Sequence, residues 1–183
     1  WECYQPPLYY YVGASIFNLT KLLGGTPEVC WKIVQSINPL LSILILLIAY
    51  QILILFRLPK LSIAITLSFI IALPRDIFTS AMIGNDYMLV FFAVLSFFLF
   101  LKTVNALKSK STIWRWITLL TVAATLGSLT KQHGLLLHVF PAIIFLLLCR
   151  KINRKKLYWA IPILLFGVLI SLSEEAWKYR KTG

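Results

Sequence analysis

"INPLLSILILLIAYQILILF", Ile37 to Phe56, runs for twenty residues without one charged side chain. A helix of about 20 residues spans the hydrocarbon core of a bilayer. Its strongest polar outlier is Gln51. Further apolar runs follow at 61–73, 87–101, 113–129, 134–149 and 157–173, with a shorter one before it at 8–19. They come as blocks rather than as the amphipathic stripes of a soluble domain. The whole chain is 60% apolar and 13% charged, where soluble domains carry about 25% charge. Continuous apolar runs exclude a β-barrel, whose strands alternate. The expected fold is therefore all-α and integral to the membrane. It is a multi-span helical bundle of about six transmembrane helices with an N-terminal interfacial helix.

Charge sets the orientation. If 8–19 does not cross and the other six runs do, the loops on one side hold eleven Lys and Arg and no acid, including Arg57, Lys102 and Arg150. The other side holds seven bases and all six acids. Cytoplasmic loops collect Lys and Arg, so the second set is external. The run 8–19 is short and broken by Gly13, Ser15 and Asn18, so it is expected to lie in the outer interface, where Tyr9, Tyr10 and Tyr11 suit the headgroup layer. The resulting division has residues 1–33 ending a first external loop, 34–174 forming the bundle, and 175–183 opening a further external loop. Because the chain opens at Trp1 and stops at Gly183, it is expected to be the central piece of a longer protein.

Three polar clusters share the external side in this topology. In "ECYQPP", Pro6 and Pro7 stiffen the start of a helix, and Glu2 and Gln5 project beside it. In "PRDIFTSAMIGNDYM", Pro74 ends one helix and Asn85 or Asp86 caps the next. Burying a carboxylate at mid-membrane would cost at least about 3 kcal/mol, which the rim position of Asp76 and Asp86 avoids. In "SLTKQHG", Lys131 offers a compact cation suited to phosphate, with His133 two residues on. Each cluster also has a plainer reading: a loop-to-helix junction, a helix cap, and a snorkelling lysine beside an interfacial histidine.

Other chemistries lack their residues. There is no nucleotide-binding glycine loop, no Ser-His-Asp arrangement and no paired-cysteine zinc site. The net charge of +12 is scattered over short loops, which does not fit nucleic acid. Cys3, Cys30 and Cys149 have no metal-ligand spacing; Cys3 and Cys30 share the external side and could pair, with isolated thiols the alternative. Asn18 opens a glycosylation sequon too close to the membrane to be used.

The order of the three clusters resembles the GT-C class of membrane glycosyltransferases, which includes the protein O-mannosyltransferases (glycosyltransferase family 39) and the lipid A aminoarabinose transferase. Bacterial and archaeal members read Glu-x-His-Gln-Pro-Pro-Leu-Tyr-Tyr in the first external loop. This chain reads "ECYQPPLYY", with Tyr4 where that histidine stands. A proline and an Asn-Asp pair follow (Pro74, Asn85 and Asp86), then a Gly-to-Gly turn around a lysine, "GSLTKQHG", Gly127 to Gly134.

The resemblance implies an inverting glycosyltransferase in a bacterial or archaeal plasma membrane, its active face external. The donor would be a sugar on a polyprenyl phosphate; the acceptor stays open. Asp86 would be a supporting acid, with the principal base upstream of Trp1, so this piece alone would be inactive. Lys131 would contact the lipid phosphate, and Gln5, Glu2, His133 and Asn85 would line the substrate site. A divalent metal is the one cofactor implied, with Glu2 a candidate ligand; Tyr4 removes a second. Two other functions compete: a transporter or flippase for lipid-linked sugars, and a non-catalytic membrane subunit. A transport pathway calls for polar residues in mid-span, and the cores 40–56, 88–101 and 157–171 carry no charge.

Overall fold

The computed structural model describes residues 8–73, 82–109, 113–151, 162 and 165–173. Among them every regular element is helical. The elements are α1 (Leu8–Leu22), α2 (Pro27–Gln35), α3 (Ile37–Leu55), α4 (Lys60–Ala72), α5 (Asp86–Ser109), α6 (Ile113–Thr130), a 3-10 helix (Gln132–His138), α7 (Val139–Lys151) and a helical segment at 165–173. The described residues up to Val94 belong to one compact unit and those from Leu95 to another, with α5 contributing to both.

In the first unit, α1 ends in a turn that the glycine pair makes possible. Gly24 sits at φ 87°, Gly25 N–H reaches the Thr20 carbonyl at 3.0 Å, and Gly24 N–H reaches that of Lys21 at 3.1 Å. This is a Schellman stop, in which a left-handed residue satisfies the last helical carbonyls. Thr26 then caps α2, its hydroxyl accepting from Val29 N–H, with Pro27 in the first turn. Pro is suited to that place because its missing N–H would be unpaired anyway. α1 packs on α2. Cys30, a free thiol, is fully buried, and Phe17 meets Trp31 with ring centroids 5.0 Å apart.

Only Ser36, itself in helical conformation, separates α2 from α3. The four-residue link 56–59 then turns the chain back into α4, which packs on α3. The link again uses a Schellman stop, with Arg57 at φ 55° in the left-handed position and Leu58 N–H on the Leu53 carbonyl. Leu41, Ile45 and Tyr87 form the buried core of this unit, joined by Ile37, Met88, Phe91 and Val94.

The core of the second unit is aliphatic: Leu99 from α5, Ile117, Leu120 and Ala123 from α6, and Ile144 and Leu148 from α7. Its hydroxyls are absorbed locally. Thr103, Thr121 and Thr125 each donate to the carbonyl four residues back, the usual way a helix carries Ser and Thr into an apolar setting.

Among the described residues, three helices are long and apolar enough to cross a membrane: Pro27–Leu55, Asp86–Leu107 and Ile113–Thr130. Lys60–Ala72 and His133–Cys149 are shorter apolar helices. The protein is an integral membrane protein of all-α class. The expected runs 37–56, 61–73 and 113–129 coincide with α3, α4 and α6 to within a residue. Three differences are instructive. α2 has no counterpart among the apolar runs, because its nine residues mix Glu28, Lys32 and Gln35 with apolar ones. α5 continues eight residues past the run 87–101, since "KTVNALKS" keeps helix-forming residues after the lipid-like stretch ends. The run 134–149 opens as a 3-10 helix, for a reason that lies in the site.

Candidate functional site

The first unit carries "GND". Asn85 is the N-cap of α5: its carbonyl accepts Leu89 N–H at 3.1 Å, and the residue is buried, 5% exposed. Asp86 follows as the first helical residue and is exposed. A carboxylate at a helix N-terminus is favourably placed against the backbone dipoles. The turn before the cap is tied to two other helices. Asn38, on α3, donates through Nδ2 to the carbonyls of Met82 and Gly84. The hydroxyl oxygen of Tyr9, on α1, accepts Gly84 N–H at 3.2 Å. After the cap, Tyr87 is buried and donates to Ser42 Oγ at 3.1 Å. Asp86 therefore stands exposed between two anchored points.

Tyr9 departs from the expected headgroup belt. It is 2% exposed, whereas Tyr10 and Tyr11 are 41% and 68% exposed. Its ring is buried because the hydroxyl has found a partner inside the fold.

The second unit carries "GSLTKQHG". α6 ends at Thr130, and Lys131 takes an extended conformation, φ −153° and ψ 146°, before the 3-10 helix begins. Lys131 N–H bonds to the Gly127 carbonyl at 3.3 Å and its own carbonyl accepts Gly134 N–H at 2.8 Å. A β-carbon on Gly134 would collide with the Gly127 carbonyl and come within 2.7 Å of Ser128 Cα. That backbone contact holds the link short, and the tight 3-10 helix is how the chain closes it. Lys131 is half-buried and His133 exposed.

Below the link lies a polar cluster that the sequence did not single out. Ser171 Oγ is 2.6 Å from Ser128 Oγ and 3.0 Å from His138 Nε2. The Gly167 carbonyl is a further acceptor within reach of Ser171 Oγ and the Thr125 carbonyl of Ser128 Oγ, so the two hydroxyl protons are shared among these partners. The cluster ties α6, the 3-10 helix and 165–173 together with hydrogen bonds, as small polar residues do between membrane helices. In the sequence its only signal is a lone histidine after three leucines.

Of the sequence-derived site residues, Asn85 and Asp86 share one unit, and Lys131 and His133 share the other. Glu2 and Gln5 lie outside the described residues, as do Tyr4, Arg75 and Asp76. Among the described residues no three His, Cys, Asp or Glu side chains group as a metal site; Glu2, the candidate ligand, lies outside them.

Comparison with known proteins gives one match. The family model for dolichyl-phosphate-mannose-protein mannosyltransferase matches residues 18–174, a range that includes Asn85, Asp86, Lys131 and His133. No curated protein matches the chain, and no solved structure does. The chain belongs to the dolichyl-phosphate-mannose-protein mannosyltransferase family, membrane glycosyltransferases of GT-C type that use a lipid-linked sugar.

Proposed function

We propose that this chain supplies part of the active site of an inverting glycosyltransferase that takes its sugar from a polyprenyl phosphate on the external face of the membrane. One observation carries the reading: within the family match, the exposed carboxylate of Asp86 opens a membrane helix directly after a buried cap. A lipid-borne sugar offers its reacting carbon at headgroup level, and a helix start at that level can present an acid without burying it in hydrocarbon.

The chemistry needs an acceptor hydroxyl that loses its proton to a base within hydrogen-bond reach. Its oxygen bonds to the anomeric carbon from the face opposite the phosphate, and the carbon–phosphate oxygen bond breaks. Asp86 acts as the supporting acid that orients the acceptor or the sugar. Lys131 stabilises the charge that gathers on the departing phosphate. His133, Gln5, Glu2 and Asn85 line the substrate site. A divalent ion, where present, would add positive charge at the phosphate, with Glu2 the candidate ligand. In this scheme residues 1–33 end the first external loop, 34–174 form a bundle of about six spans, and 175–183 open another external loop.

The test is sugar transfer by the intact protein in liposomes from a polyprenyl-phosphate donor. Asp86→Asn and Lys131→Ala should each lower kcat by about 100-fold or more at unchanged expression. A wild-type rate in both removes them from the site. Single cysteines at Asp86 and Gln132 should react with an impermeant maleimide from outside; reaction only from the cytosol at either position removes that residue from an external site.

A further inference from the structure

Gly84, two residues before Asp86, has both polar groups of its own backbone held by side chains from other helices. Its N–H goes to the Tyr9 hydroxyl and its carbonyl to Asn38 Nδ2. Asn38 spends its second amide contact on the Met82 carbonyl, and its side chain is also a polar neighbour of the Tyr9 hydroxyl. Both side chains are almost completely buried, Tyr9 at 2% and Asn38 at 1% exposure.

The arrangement is more specific than packing requires. The amide of Asn38 can take only one orientation, because the flipped one would set its oxygen against two carbonyl oxygens. In the orientation taken, Oδ1 is buried with no hydrogen-bond partner. An unpaired buried acceptor is costly, and a residue that merely filled the seam between helices would be apolar. On the other side of Asp86, Ser42 sits one helical turn beyond Asn38 on α3 and holds Tyr87. Positions four apart share a helix face, so one face of α3 grips the chain both before and after Asp86.

We infer that Tyr9 and Asn38 are positioning residues for Asp86: they clamp the Gly84 peptide and thereby fix where the carboxylate at the start of α5 stands. This rests on the reading of Asp86 given above. Tyr9 lies in the run that the sequence offered only as an interfacial anchor, and the clamp gives that run a second task. Misplacing a reacting group by about 1 Å can cost up to 100-fold in rate, so loss of one clamp contact should show in turnover rather than in donor binding.

The experiment combines kinetics and hydrogen exchange on the intact protein in liposomes. Tyr9→Phe keeps the ring and deletes the acceptor; Asn38→Leu keeps the volume and deletes the donors. Both should lower kcat about tenfold and leave KM for the lipid-linked donor nearly unchanged. Backbone amides at 82–86 should exchange faster in Tyr9→Phe, while those of α6 do not change. The double variant Tyr9→Phe with Asp86→Asn should be no slower than Asp86→Asn alone, as expected when one residue acts through the other. Should Asn38→Leu fail to fold, Tyr9→Phe carries the test. Unchanged exchange at 82–86 overturns the clamp, and losses that multiply in the double variant overturn its action through Asp86. A wild-type rate in Asp86→Asn with raised exchange in Tyr9→Phe shows instead that the reading of Asp86 is at fault, and the positioning role falls with it.

Discussion

Gly134 lies against the peptide of Gly127 so closely that a β-carbon on it would strike the Gly127 carbonyl. The two glycines bracket Lys131, and their contact fixes the length of the link that presents it. Gly134→Ala must push the 3-10 helix off α6. Overpacking of this kind costs about 1–3 kcal/mol. A lower melting temperature in detergent checks it; an unchanged one means that the link has room.

Ser171 makes its hydrogen bonds in a buried setting where water cannot replace them. Ser171→Ala should destabilise by about 0.5–2 kcal/mol, the range for polar contacts between membrane helices. Ser173 is exposed and, among the described residues, bonds to the carbonyl of Ile170, so Ser173→Ala should change stability by less than about 0.5 kcal/mol. Comparing the two variants by denaturant titration in the same detergent tests the difference.

Arg57 holds a left-handed conformation at the end of α3 with no relief from glycine. That conformation costs a side-chain-bearing residue about 1–2 kcal/mol, and glycine is the preferred occupant of this helix stop. Arg57→Gly should raise stability by about 1 kcal/mol, measured as an upward shift of the melting temperature. A downward shift would show that the guanidinium contributes more than the strain costs.

Burial raises the Tyr9 hydroxyl above its ordinary 10.0, outweighing the opposing pull of the Gly84 N–H. The folded state thus keeps its proton after the unfolded state has lost it. Stability from this group is fully present below pH 10 and falls as pH rises above it. Tyr9→Phe should melt at a temperature that changes less between about pH 9 and about pH 11 than the wild type does. An equal change in both would mean that Tyr9 does not titrate there.

How much of this was legible in the sequence depends on how far apart the causes lie. Ile37–Leu55 and Ile113–Thr130 follow from run length alone, because apolar blocks have no other stable form in lipid. That Asn85 or Asp86 opens this helix is a local rule and was readable; which of the two is the cap was not. α2 carried its own signals, Thr26, Pro27 and Glu28, but in a helix too short and too polar to register as an apolar run. The 3-10 opening of the run 134–149 and the burial of Tyr9 were not readable. The first depends on a backbone collision between Gly127 and Gly134. The second depends on Gly84, 75 positions away, and no local pattern encodes such a partner. Asn38 was hidden for the same reason: at the edge of an apolar run it passes for a tolerated polar residue until Met82 and Gly84 arrive beside it.

Helices α2 and α3 follow one another through Ser36 as a helical stretch of 29 residues, about 43 Å of helical rise against about 30 Å of hydrocarbon. Whatever part of that surplus of roughly 13 Å tilt does not take up stands proud of the oily layer, at the end where Glu28, Trp31 and Lys32 have the polarity for it. Since α1 rests on that end, its altitude is dictated by helical rise instead of by a slack loop. The span doubles as a mast, and α1 is the platform that it carries.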